Sequence, residues 1–457
     1  MSEEFNGEPI PVVGGGLAGC EAAWQLAEAG VAVRLIEMRP VRQTPVHTTG
    51  DFAELVCSNS LRGDSPGNAV GLLKREMEVL GSLIIRCARE TAIPAGGALA
   101  VDRTLFSERV GEEISKHPRI TVERTEVVDL PKGPAVLATG PLTSPALHQA
   151  LQAFLGEQAL SFFDAVAPVV AADSLVHERL FRASRYDKGE GADYLNAPLS
   201  QELYEAFIDE LLAAERVEFK QFEKDDIAFF EGCLPIEVMA ERGRETLRFG
   251  PMKPVGLIDP ATGSRPWAVV QLRQDDVAAD HWNLVGFQTK LKQAEQKRVL
   301  AMIPGLENAR FARFGMIHRN TYLNAPTHID PLLRLIKRPA VRVVGQMTGV
   351  EGYVESAATG LMAGRTLAAE LRGEPSSPPP PETAMGGLIR HLTERPTKGF
   401  QPSNITWGLI SCPEDLRRIR SKRDRRVAQA ERALVVIGQW GETKFEVRSL
   451  KSERGSS

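Results

Sequence analysis

Two rhythms of apolar and polar residues follow one another near the start of the chain. A short apolar run, Ile10-Pro11-Val12-Val13, gives way to glycines and then to a helical spacing of apolar residues from Cys20 to Ala29. Gly30 interrupts that spacing, and Val31-Ala32-Val33-Arg34-Leu35-Ile36-Glu37 predicts a second, β-branched strand that ends on a carboxylate. Strand, turn, helix and strand complete a βαβ unit. Further strands are predicted at Arg119-Ile120-Thr121-Val122-Glu123, at Pro134 to Gly140 and, far downstream, at Val341-Arg342-Val343-Val344-Gly345. The last is followed by an Ala-, Leu- and Gly-rich helix from about Glu355 to Leu371.

Between about Ser144 and Ile336 the pattern changes to mixed apolar stretches and longer loops. This segment is expected to be an inserted α+β domain. If the strands on either side share one sheet, the nucleotide-binding domain is discontinuous, which a long insertion permits. The expected organisation is then a first part at 8–143, an insert carrying the substrate at 144–336 and a second part at 337–372. The proline-rich stretch 373–382 reads as an extended, solvated linker. A C-terminal arm, 383–457, follows it.

Composition narrows the function classes. The 457 residues, 43% hydrophobic and 25% charged, are ordinary for a folded chain of two or three domains. A formal net charge of -4 gives no global reason to expect nucleic acid, so such a partner needs a local patch. One candidate exists. The run from Arg417 to Arg426 carries seven basic residues against Asp424 alone, and on a helix it puts positive charge on every face. It reads either as a solvated face or, if RNA is the substrate, as a phosphate contact through Arg417, Arg418, Arg423 and Arg425. The five scattered cysteines include no C-x-x-C pair and the eight histidines show no ligand spacing. No disulfide framework and no metal site are expected, and a reducing cytoplasm fits. No stretch is long and apolar enough to span a membrane, and the acidic start lacks a signal peptide's basic region.

The glycine turn Gly14-Gly15-Gly16-Leu17-Ala18-Gly19 contains G-x-G-x-x-G between a strand and a helix. Its glycines permit a tight bend and let a pyrophosphate approach the backbone amides at a helix N-terminus. Glu37 closes the second strand near the spacing at which a carboxylate takes ribose hydroxyls. The fingerprint alone does not separate NAD from FAD. Two later strand ends, Ala138-Thr139-Gly140 and Gly345-Gln346-Met347-Thr348-Gly349, resemble flavoproteins of the glutathione-reductase type. That resemblance implies FAD, held at its far end by Gly140, Gly345, Gln346 and Gly349, on a Rossmann-like α/β domain.

Cys57 follows an apolar run in Ala53-Glu54-Leu55-Val56-Cys57-Ser58-Asn59, and Cys233 lies in the loop Glu231-Gly232-Cys233-Leu234-Pro235. Either alone reads first as a core residue. Together with the glycine turn, with His318-Arg319-Asn320-Thr321-Tyr322 and with the block from Gly345 to Ser356, these two blocks resemble the folate- and FAD-dependent tRNA (uracil-5-)-methyltransferases, the TrmFO family. The resemblance runs from residue 10 to about 410. It implies formation of 5-methyluridine in the T-loop of tRNA, with methylenetetrahydrofolate as carbon donor and NAD(P)H as reductant of FAD.

On that reading one cysteine adds to carbon 6 of uracil and a base removes the carbon-5 proton. Cys233 is assigned as nucleophile and Cys57 as base, with the exchanged roles left open. Tyr353 is expected to stack on or gate the flavin, or else to be a core aromatic. His318, Arg319 and Asn320, in an expected loop, and Asn59 are candidate substrate contacts, though a structural hydrogen-bond cluster would use the same residue types. Three other readings stand beside this one: an FAD-dependent modifier of the tRNA wobble uridine, a flavin reductase or oxidase of small molecules, and a non-catalytic RNA-binding protein that retains FAD as a structural element.

Overall fold

The computed structural model describes residues 7–156, 160–189, 191–217, 234–397 and 400–442; of 160–164, 318 and 319 the backbone alone is described. Cys233 lies outside the described residues. A six-stranded sheet runs in the order Arg334–Leu335, Arg338–Val343, Ala135–Leu137, Ile10–Val13, Val33–Glu37, Ile120–Arg124. All its pairings are parallel except the edge hairpin of the first two strands. The strand that ends near Val343 therefore returns beside Ala135–Leu137, and the nucleotide-binding fold is built from both ends of the chain. Helix Leu17–Glu28 and helix Tyr353–Leu371 pack backbone to backbone on this sheet. A Cβ on Gly360 would stand 2.1 Å from the Ala18 carbonyl oxygen, so only glycine allows that approach.

A second, all-antiparallel sheet has the order Phe181–Arg182, Tyr194–Leu199, Ala268–Gln274, His281–Leu284, Val169–Ala171, Phe311–Arg313. It packs against helices Gln201–Ala213 and Gln293–Leu300 in a core of its own. An antiparallel ribbon connects the two units: the chain leaves through Leu160–Val166 and returns through Met316–Tyr322, paired along seven residues from Leu160–Tyr322 to Val166–Met316.

The ribbon moves the expected boundaries inward. Helix Pro145–Leu155 places Leu147, Leu151 and Leu155 in the first core, as Leu323, Ile329 and Leu333 are on the return, so the insert is shorter than 144–336. The proline-rich stretch is not a solvated linker. Ser377 accepts a hydrogen bond from Trp440 Nε1 at 3.2 Å, Pro381 accepts one from Ser411 N at 2.9 Å, and Pro379 is buried. Nor does an arm stand apart beyond it. Helix Ala384–Glu394 contributes Met385, Leu388 and Leu392 to the first core, and helix Lys422–Glu442 buries Ala433, Ile437 and Trp440 there. The apolar stripe of that last helix lies after the basic run, where charge counting alone does not see it.

Glu76 ties this C-terminal segment down. Its fully buried carboxylate accepts from Ala384 N at 2.6 Å and Met385 N at 2.9 Å, at the start of helix Ala384–Glu394. Burial pushes its pKa up to about 8 against the opposing pull of those two amides. A folded pKa raised above the unfolded value adds stability that is complete below about pH 4.5 and is lost as pH rises through about 8. Glu76→Gln removes this titration and one of the two amide hydrogen bonds. Its stability deficit relative to the unsubstituted chain is expected to be largest near pH 5 and to narrow toward pH 9, which denaturant melts across that range would show.

Candidate functional site

A cavity of about 430 Å³ runs from the glycine turn to the seam between the two units. One end is walled by Gly14, Gly16, Leu17, Ala18 and Glu37 of the first sheet's βαβ unit. Helix Leu17–Glu28 starts at Gly16 with no side-chain cap, so its first amides are left to an anion. Gly14 has φ +106°, and a Cβ on it would stand 2.4 Å from the Ala138 carbonyl oxygen. Gly19 serves packing rather than binding: a Cβ there would lie 1.8 Å from the Gly14 oxygen. These observations fit a dinucleotide phosphate. Gly19→Val is expected to yield protein without bound flavin, read from the absorbance near 450 nm, since the added atoms force the turn and helix apart.

Glu37 is more engaged than the ribose reading requires. Its Oε2 accepts from Gly15 N at 2.7 Å, and its Oε1 accepts from Arg39 N and Nε, both at 2.9 Å. Burial would raise its pKa, but the Arg39 guanidinium and these hydrogen bonds outweigh burial and hold the carboxyl below its ordinary range. The charged carboxylate thus shapes the turn from within while still lining the cavity.

Further along, Gly140 and the uncapped turn Gly345–Thr348 bring Gly345 and Gln346 to the wall. Gln346 Nε2 donates to Glu351 at 2.6 Å. Gly349 does not line the cavity. It sits at φ +90° with Phe400 where a Cβ would be, at 2.5 Å, so packing against that ring requires a glycine here.

The seam end holds Cys57 and Tyr353 together. The Tyr353 hydroxyl oxygen accepts from Cys57 N at 2.8 Å and from Ser58 N at 3.3 Å, and both residues line the cavity. Tyr353 therefore clamps the cysteine loop through its hydroxyl. Burial, with the Cys57 sulfur beside it, raises the phenol's pKa and keeps it neutral.

Three arginines from distant segments grip the same loop. Arg103 donates to the Leu55 and Cys57 carbonyls and pairs with Asp275, its Nε lying 2.8 Å from Oδ2. Arg313 donates to the Val56 and Cys57 carbonyls at 3.2 and 3.1 Å. Arg273 donates to Ser58 Oγ at 2.7 Å and Asn59 Oδ1 at 2.9 Å. Burial, then repulsion from Arg103, pushes the Arg313 pKa down to about 10. None of the three was foreseen. A lone arginine in an amphipathic segment carries no signal that it will meet two others.

Other expected site residues fall elsewhere. Asn59 is fully buried and does not line the cavity; its Nδ2 donates to the Val101 and Gln274 carbonyls, so it is a strut between the units rather than a substrate contact. His318, Arg319 and Asn320 lie on the ribbon strand Met316–Tyr322, not in a loop, because pairing with Leu160–Val166 holds their backbone. Asn320 is buried, and the side chains of His318 and Arg319 are outside the described residues. The basic run is interrupted. Arg417 ends helix Glu414–Arg417 and the next helix begins only at Lys422. Arg417, Arg418 and Arg423 are exposed, whereas Arg425 is half-buried and donates to the Ile419 carbonyl at 3.2 Å. Arg426 lies over the ring of Trp407, on the segment that supplies cavity-lining Asn404. Among the described residues no cluster of His, Cys, Asp and Glu is placed to hold a metal, and no helix is long and apolar enough to cross a membrane.

Comparison with known proteins agrees with this architecture. The family model described as glucose inhibited division protein A matches residues 9–375. The methylenetetrahydrofolate–tRNA-(uracil-5-)-methyltransferase TrmFO of Geobacter sulfurreducens is 56% identical over 432 residues, covering 94% of this chain and 98% of its own. That of Rhodospirillum rubrum is 56% identical over 447 residues, covering 94% and 92%. Among solved structures, Aquifex aeolicus GidA superposes with a TM-score of 0.69 over 97% of this chain and 76% of its own, at 16% identity, a likeness of fold.

Proposed function

Because the chain belongs to the TrmFO family of methylenetetrahydrofolate-dependent tRNA (uracil-5-)-methyltransferases, we propose that it methylates carbon 5 of the T-loop uridine of tRNA in the cytoplasm, with FAD as cofactor and NAD(P)H as its reductant. The observation that carries this reading is the arrangement along one cavity of a dinucleotide turn at one end and Cys57, clamped by Tyr353, at the other. Gly14, Gly16, Leu17 and Ala18 would hold the adenosine-side phosphates and Gly140, Gly345 and Gln346 the remainder of the cofactor. When bound, FAD supplies transfer of the one-carbon unit and the hydride that completes the methyl group.

The protein's own side chains do the rest. Carbon 5 of uracil is a poor nucleophile until a thiolate adds at carbon 6, the role assigned to Cys233. Cys57 accepts the carbon-5 proton. Tyr353 is a positioning residue whose hydroxyl fixes the backbone on either side of that sulfur. The guanidinium of Arg273, which lines this end of the cavity and reaches Ser58, is suited to charge that develops on the ring as the proton leaves. Incubation with unmodified tRNA, labelled methylenetetrahydrofolate and NADH, followed by digestion, tests the reading. Label in 5-methyluridine supports it. NADH turnover with no label in the RNA favours a flavin reductase.

An acidic chain needs a local hold on tRNA, and the exposed cations of the basic run supply it. Replacing Arg417, Arg418 and Arg423 by alanine is expected to weaken tRNA binding and to lower the slope of log affinity against log salt by about one for each phosphate that is no longer neutralised. Flavin content should not change. An unaltered slope would show that the tRNA lies elsewhere.

A further inference from the structure

Asn283 is a polar side chain at the seam end of the cavity to which the foregoing reading gives no task. It lines the cavity, is 3% exposed, and its Nδ2 finds no hydrogen-bond partner among the described residues. Buried amide groups are nearly always satisfied, so an orphaned one on a residue that lines a cavity points to a partner that enters it. Its surroundings say where it works. Asn283 stands directly opposite Arg273 in the antiparallel pair His281–Leu284 with Ala268–Gln274, which puts both side chains on one face of the sheet. Arg273 in turn reaches Ser58, the residue after Cys57. The Asn283 amide therefore belongs to the wall nearest the cysteine loop, on the unit that does not carry the glycine turn.

We propose that Asn283 is a specificity-determining residue that reads the lactam edge of the heterocycle undergoing reaction, its Nδ2 donating to a ring carbonyl. A side-chain amide is complementary to a ring C=O next to N–H. This chemistry is shared by the uracil of the tRNA and by the pterin of the folate, and it rests on the methyltransferase reading above. Both rings must come to the seam end for carbon to pass between them. A protein donor already fixed on the sheet needs no reorganisation to meet the carbonyl.

The test uses the flavin-loaded protein with Asn283→Leu and the isosteric Asn283→Asp, which replaces the donor by an acceptor. Two quantities are measured: the Kd for tetrahydrofolate, from the flavin absorbance change, and the rate of covalent trapping by a tRNA carrying 5-fluorouridine in the T-loop. An about tenfold loss in the first alone supports the proposal with the pterin as partner; the same loss in the second alone supports it with the uracil. Asn283→Asp is expected to fold as the parent does and to show the same loss, so a poorly folded Asn283→Leu does not decide the matter. Less than twofold change in both quantities overturns the proposal. If the unsubstituted protein itself neither binds tetrahydrofolate nor is trapped, the functional reading fails instead.

Discussion

Cys57→Ala is expected to lower methyl transfer to tRNA by about 10²–10⁴-fold, the range a positioned acid or base contributes, with flavin content and fold unchanged. The fold should survive because the loop is held through its backbone: Tyr353 takes the amides of residues 57 and 58, and Arg103 and Arg313 take the Cys57 carbonyl. Among the described residues the thiol's hydrogen-bond partner is the Ala165 carbonyl, 3.8 Å away. Loss of the sulfur opens a small gap on a cavity wall and not a void in the core. If Cys57 is the base, the variant still adds its nucleophile to the uracil, and the RNA should accumulate as a covalent complex. If Cys57 is the nucleophile, no complex forms with Cys57→Ala and it accumulates instead with Cys233→Ala. Denaturing gels of the two variants with tRNA separate these assignments. Methyl transfer within tenfold of the parent by Cys57→Ala would give the base to another group.

The contrast between the two ends of the cavity shows what a sequence displays and what it hides. The glycine turn, Glu37 and the late strand before Gly345 are legible because each depends on local geometry: a tight bend, a period of two, a helix start. The seam end depends on chain segments that meet only after the insert has folded. Arg103 sits in the first turn of a helix, Arg273 in a strand and Arg313 at the mouth of the ribbon, and only the tertiary fold gives them a common target. Tyr353 was a visible candidate, but the hold of its hydroxyl on the Cys57 and Ser58 amides was not foreseen, because it joins segments far apart in the chain. The same limit applies to the C-terminus. A run of seven cations hides an amphipathic helix that begins within it and packs on the core from Gln429 onward.

Arg103→Met should combine a large loss of stability with loss of activity, and the two effects can be separated. The Arg103 guanidinium is the hub of the seam: it donates to two carbonyls of the cysteine loop and pairs through two nitrogens with Asp275 on the other unit. Burial opposes its charge, but the Asp275 carboxylate more than compensates and raises its pKa. Removing one partner of such a buried pair leaves an uncompensated charge, at a cost of about 3–5 kcal/mol. The double variant Arg103→Met with Asp275→Leu removes both charges, and should recover most of that stability, because the cost lies in the orphaned carboxylate and not in the missing cation. Activity should not recover with it. The carbonyls of Leu55 and Cys57 still lack their donor, so the loop that carries the sulfur loses a fixed position whether or not the seam is neutral. A double variant that regains both stability and turnover would show that Arg103 only balances Asp275; one that regains stability alone assigns it the placement of Cys57.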